Sequence, residues 1–173
     1  MSKVYAIYSG NNHSAFSQLI RHRITPKNEP LFPYSHVGLI IEPEQELITV
    51  DSLITHSSFK GKGVHFTTVK NFIAHATQYQ INVFDEETEN FAMLMELAKI
   101  YDGTPYDLQG AIGLGVGLDW QIDSDFWCSE WDAFALKHMG FSFMQHDIEH
   151  RIDPRHHFLW PQRKVEIQLF RTV

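Results

Sequence analysis

The stretch Tyr34-Ser35-His36-Val37-Gly38-Leu39-Ile40-Ile41, continued by Glu42-Pro43-Glu44-Gln45 and then by residues 46–54 (ELITVDSLI), decides the fold. Two apolar, β-branched runs flank a short polar segment containing proline, the pattern of an antiparallel hairpin. His36 opens the first run, whose following residues are almost all apolar, so a polar group there needs a reason. A turn that pairs Ile41 with Glu46 also sets His36 opposite Asp51. Directly opposed residues share a face and stand about 4.5–5.5 Å apart at Cβ. A one-residue slip would put them on opposite faces.

On the N-terminal side, residues 4–8 form a short apolar run ended by Ser9-Gly10-Asn11-Asn12, a strand entering a turn. Phe16, Leu19 and Ile20 recur at helical spacing over 14–22, with Ser14 available as N-cap. Pro26, Pro30 and Pro33 mark an irregular loop before the hairpin. On the C-terminal side, strands are expected at 63–67 and 79–84 with a short helix at 69–75 between them. Phe91, Leu94, Met95 and Ala98 predict a helix over 87–101. Residues 103–107 break it, and a glycine-rich segment follows at Gly110, Gly113, Gly115 and Gly117, read as a close-packed wall or a helix with small packing residues. It lacks the Gly-Lys-Ser/Thr ending of a phosphate-binding loop. A second helix is expected over 128–139, with Gly140 as its stop, and a last strand over 165–170. Helices and hairpins mix without a βαβ rhythm. The expected class is therefore α+β, an antiparallel sheet packed on helices.

The chain has 173 residues, 43% hydrophobic and 13% aromatic, enough to bury one sizeable core, and residues 1–173 are expected to form a single domain. A formal net charge of -7, without a run of basic residues, argues against a nucleic-acid partner or an anionic membrane surface. No window approaches the roughly 18 apolar residues of a membrane span, and the N-terminal apolar run is too short for a secretory signal. The expectation is a cytoplasmic protein. With one cysteine there is no internal disulfide, which fits a reducing compartment.

That cysteine, Cys128, begins the second helix, where unpaired N–H groups and the helix dipole favour a thiolate. It follows a polar loop (Asp123, Ser124, Asp125) and precedes Ser129-Glu130. A lone cysteine is by default a small buried hydrophobe, so the position carries weight only together with a base. His36 is the candidate base. Asp51 across the hairpin could fix one ring nitrogen and leave the other free for the thiol proton.

Residues 34–41, Val50-Asp51-Ser52, Gly103-Thr104-Pro105-Tyr106-Asp107 and Trp127-Cys128-Ser129-Glu130-Trp131 together resemble the permuted papain-like cysteine hydrolases, circularly permuted relatives of NlpC-type cell-wall endopeptidases that include YiiX-like proteins. The histidine strand precedes the cysteine helix in that family, as here. The resemblance implies a permuted papain-like fold, Cys128 as nucleophile and His36 as base, with the backbone N–H of Cys128 in the oxyanion hole. Asp51 falls where the family carries a glutamate or another polar residue. Tyr34, Ser35, Tyr106, Trp127 and Trp131 are expected beside the substrate, a small peptide or acyl compound cleaved at an amide or peptide bond through a thioester. No cofactor and no metal is implied. Two rival readings remain. One is a papain-like binding or structural protein without turnover. The other is a zinc hydrolase at His146-Asp147-Ile148-Glu149-His150, which matches H-x-x-E-H; Pro154 leaves that motif little helix, and eleven histidines make a chance match easy.

Overall fold

The computed structural model describes residues 2–41, 48–60, 63–116, 120, 122, 124–142 and 152–165. Strand β1 (Tyr5–Gly10) lies inside one six-stranded sheet, between β2 (His36–Ile40) and β5 (Gln78–Phe84). Beyond β2 come β3 (Leu53–Ser58) and β4 (Gly63–Thr68); beyond β5 comes β6 (Gln162–Lys164). All five pairings are antiparallel, and with the helices below they make the α+β architecture expected from the sequence.

Alternation divides the sheet into two faces, as a period of two requires. Val37, Leu39 and Ile41 share a core with Tyr8, Val64, Phe84 and the apolar faces of α3 (Phe91–Ile100) and α5 (Cys128–His138). Ile7, Ile40, Ile54 and Ile81 face the other way and pack with Val69 of the short helix α2 (Val69–Ile73). Helix α1 (Ala15–Ile24) begins where Ser14 accepts a hydrogen bond from the Ser17 N–H at 3.3 Å. The glycine-rich segment forms helix α4 (Leu108–Val116). The outer edge of β4 is occupied: the Val64 N–H donates to the Thr104 carbonyl, and the Gly103 N–H to that of Val64. Gly63, at φ +121°, admits this approach, because a Cβ there would run into the Thr104 carbonyl.

Two expectations shift, and two concern the C-terminal segments. The strand expected over residues 46–54 enters the sheet only at Leu53, since residues 49–52 close a turn in which the Ser52 N–H donates to the Thr49 carbonyl and the Thr49 N–H to Ser52 Oγ. Helix α3 starts at Phe91 rather than 87, because Thr88 forms a β-bridge with Ser2. Pro154 opens a helix: Asp153 caps α6 (Pro154–Phe158), with proline at its first turn, while the segment before it, residues 143–151, is outside the described residues. The strand expected over 165–170 lies, apart from Val165, outside the described residues; β6 precedes it. Among the described residues no helix is long and apolar enough to cross a membrane.

Candidate active site

Helix α5 delivers Cys128 at its first position. Its start is fixed by Glu130, whose carboxylate accepts the Trp127 N–H at 3.4 Å, half of a capping box. Its end is fixed by Gly140 at φ +85°. Trp131, fully buried, anchors the helix on the sheet by donating Nε1–H to Thr55 Oγ1 at 3.2 Å.

The thiol sits where the β2–β3 ladder ends. The recorded pairs are Ile40 with Ile54 and Leu39 with Thr55, and the Ile41 N–H donates to the Leu53 carbonyl. That alternation aims the N–H of residues 41, 39 and 37 toward β3. At Val37 the ladder has stopped, and its amide lies close enough to the Cys128 thiol to lower the thiol's pKa. Ser57, which a continued ladder would set opposite Val37, donates its hydroxyl to the Phe126 carbonyl and so holds the segment entering α5 in the gap. The backbone N–H groups of Cys128 and Ser129 at the start of α5 lower the thiol's pKa in the same sense. Burial still dominates and pushes it up to about 12, with Asp132 adding to the rise.

His36 is therefore the neighbour of the amide that touches the thiol. Its ring stacks on Phe72 of α2, with centroids 5.0 Å apart and planes at 16°. Its Nε2 lies 2.7 Å from Nδ1 of His56 on β3. Among the described residues no hydrogen bond joins the imidazole to the thiol: the His36 ring packs on Phe72 on the face of Ile40 and Ile54, whereas Cys128 belongs to the core that Val37 and Leu39 share with α5. Burial, aided by repulsion from His65, pulls His36 down to about 4, and burial together with both other histidines pulls His56 well below the usual range.

The orienting role expected of Asp51 has no geometric basis, because the register it assumed is not the register of the sheet. With Ile40 opposite Ile54, Asp51 stays in the turn ahead of β3, exposed. The residue that reaches His36 is His56, and its signal was present as Ile54-x-His56, two positions apart on one strand face. His65 on β4 completes the row, its ring centroid 4.3 Å from that of His56.

Tyr106 comes to the thiol by a short splint. The Phe126 N–H donates to the Pro105 carbonyl at 3.1 Å, and the Asp107 N–H to the Phe126 carbonyl at 3.3 Å. Asp107, fully buried, accepts from the Gly110 N–H at 2.6 Å, starting α4, and from the Ile122 N–H at 3.3 Å. Gly110 has to be small, since a Cβ would strike that carboxylate. The Tyr106 hydroxyl is driven well above its usual range by burial, then by the proximity of Cys128 and of Asp107, and stays protonated.

The other expected substrate contacts are packing residues. Tyr34, Ser35, Trp127 and Trp131 keep at most 7% of their surface exposed. Tyr34 packs among Tyr8, Phe32 and Phe158 and donates to Gln80 Oε1 at 3.1 Å. Ser35 ties the entry of β2 to α1 through Ser17 at 2.6 Å. One turn along α5, Asp132 is buried with neither oxygen hydrogen-bonded, and its Oδ2 lies 3.8 Å from His157 Nε2. Burial raises the carboxyl and lowers the imidazole to about 3, so His157 does not enter this contact as a cation. The zinc-type motif at 146–150 falls outside the described residues; among the described residues no cluster of three or more His, Cys, Asp or Glu could hold a metal ion.

A family model described as permuted papain-like amidase enzyme, YaeF/YiiX, C92 family, matches residues 7–149, a span that includes His36, Tyr106 and Cys128. No curated protein matches the chain. With a cysteine at a helix start, a histidine strand ahead of it in sequence and a family match over most of its length, the chain belongs to the permuted papain-like amidases and is an enzyme of the cysteine peptidase or amidase type.

Proposed function

We propose that the protein, acting as one catalytic domain, cleaves an amide or peptide bond through a thioester on Cys128, with His36 as general base and His56, in place of Asp51, as the residue that orients the base. The observation that carries this reading is the thiol close to the Val37 amide, immediately after a histidine whose Nε2 is engaged at 2.7 Å. If His36 Nε2–H donates to His56 Nδ1, the Nδ1 lone pair of His36 is left to take the thiol proton. Thiol and imidazole are both neutral at rest, so proton transfer accompanies attack rather than preceding it. Sulfur bonds to the substrate carbonyl carbon and the thiol proton passes to His36. The oxyanion is met by the Cys128 N–H at the helix start and by the Tyr106 hydroxyl, a protonated donor beside the sulfur. Protonated His36 then gives its proton to the departing amine as the C–N bond breaks. Water, deprotonated by His36, releases the acid and restores the thiol.

The test is turnover of a panel of N-acyl amides, short peptides and activated esters, with mass analysis of the quenched enzyme. The reading expects an acyl adduct on Cys128 and loss of turnover in Cys128→Ala and His36→Ala. Turnover that survives Cys128→Ala would refute it.

A further inference from the structure

His56 carries a buried ring nitrogen, Nε2, with no hydrogen-bond partner. A buried polar group left unpaired is uncommon and asks for an explanation. The ring touching it belongs to His65: the centroids are 4.3 Å apart and the planes tilted by 51°. His65 and His56 are directly paired across β3 and β4, so this contact is built into the register. The tautomer of His65 follows from its other bond. Nδ1 lies 2.8 Å from the Gly63 carbonyl, which can only accept, so Nδ1 holds the hydrogen and neutral His65 presents a lone pair at Nε2.

We propose that His65 is a positioning residue for His36, acting through His56, by accepting the otherwise unpaired Nε2–H of His56. This rests on the reading of Cys128 and His36 given above. Two tautomers of His56 are compatible with its 2.7 Å contact to His36. In one, His56 donates from Nδ1, which places the remaining hydrogen of His36 on the nitrogen needed for the thiol proton. Its Nε2 lone pair would then face the lone pair of His65, acceptor against acceptor. In the other, His56 accepts at Nδ1 and offers Nε2–H to His65. Three imidazoles on adjacent strands then run donor to acceptor from His36 to the Gly63 carbonyl, and the base nitrogen of His36 is free. A small tilt of the half-buried His65 ring aligns the last pair. Phe72, against both His36 and His56, supplies a ring and no competing acceptor.

The experiment uses the full chain in four forms: wild type, His36→Ala, His65→Phe and His65→Gln. Nitrogen-detected NMR of the histidine rings reads the tautomers, and iodoacetamide reads the reactivity of Cys128. His65→Phe removes the acceptor and keeps a ring; His65→Gln restores an oxygen acceptor. The proposal expects His65→Phe to move His36 toward the Nδ1–H tautomer and to slow Cys128 alkylation about fivefold to tenfold, the population shift one net hydrogen bond supports. His65→Gln should restore most of both. An unchanged His36 tautomer in a folded His65→Phe, or the same loss in Phe and Gln variants, overturns it. If alkylation is equally fast in His36→Ala and wild type, the underlying pairing of Cys128 with His36 fails instead, a result the tautomer spectra tell apart.

Discussion

Gly38 lies between the two histidines of the candidate site, and replacing it with alanine should do more damage than its ordinary strand conformation suggests. A Cβ at Gly38 would stand 2.9 Å from His56 Cβ, 2.9 Å from Ile54 Cγ2 and 3.2 Å from the Thr55 carbonyl. A Cβ cannot rotate aside, so the strands β2 and β3 must separate. Overpacking of this kind costs about 1–3 kcal/mol, and loosening the His36–His56 contact adds roughly 1 kcal/mol. The sum is about 2–4 kcal/mol, or a fall of about 5–15 °C in Tm for a domain of this size. Gly103→Ala is the control: its φ of +82° is unfavourable for alanine but nothing lies within 4 Å of the new Cβ, so about 1 kcal/mol is expected. Urea denaturation of both variants gives the order, and histidine-ring NMR shows whether the His36–His56 hydrogen bond survives. If Gly103→Ala proves the more damaging, or Gly38→Ala keeps both stability and that bond, the close approach of the two strands has been misjudged.

Acid should destabilise the fold well above the usual carboxylate range. His36 and His157 are lowered to about 4 and about 3, and His56 falls well below 6.5, so between those values and about 6.5 the unfolded chain binds three protons that the folded one does not. Asp132, raised by burial, works in the opposite sense. His36 and His157 alone correspond to about 2.7 kcal/mol lost per unit of pH lowered between about 6 and 4; urea titrations at several pH values check it, and a flat profile would deny the neutral buried histidines. Asp107→Ala should cost about 2 kcal/mol, since two backbone N–H groups lose a buried acceptor, with Asp107→Asn milder by the same denaturation measurement. Asp153→Ala, which removes the cap shared by the Arg155 and His156 N–H groups, should cost about 1 kcal/mol and leave Cys128 alkylation unchanged.

Local signals in the chain were legible because each is decided within a few residues. Ser14 caps α1, Gly140 ends α5 and Cys128 starts it, all from side-chain chemistry and φ preference that need no tertiary context. The histidine strand was legible too, because alternation around His36 has one reading. What was hidden depended on register. Leu47, Ile48 and Val50 look like strand residues, but the turn at residues 49–52 closes through hydrogen bonds between near neighbours, and the register lies seven places along, with Ile40 opposite Ile54, so that His56 replaces Asp51 as the partner of His36. Asp153-Pro154 reads as a helix stop, and the start that it also makes, for α6, goes with the packing of His157 beneath Tyr8 and Phe84, which local sequence does not reveal. The aromatic residues of the family motifs read as substrate contacts, yet Trp127 and Trp131 are buried and seat the helix that carries Cys128.

The reactivity of Cys128 toward iodoacetamide at neutral pH, compared between wild type and His36→Ala, tests the coupling of thiol to imidazole without any knowledge of the substrate. Activation by His36 predicts that the variant, still folded, reacts about a hundredfold more slowly. Equal rates in the two proteins would mean that the histidine does not take the proton, and that the assigned base is wrong.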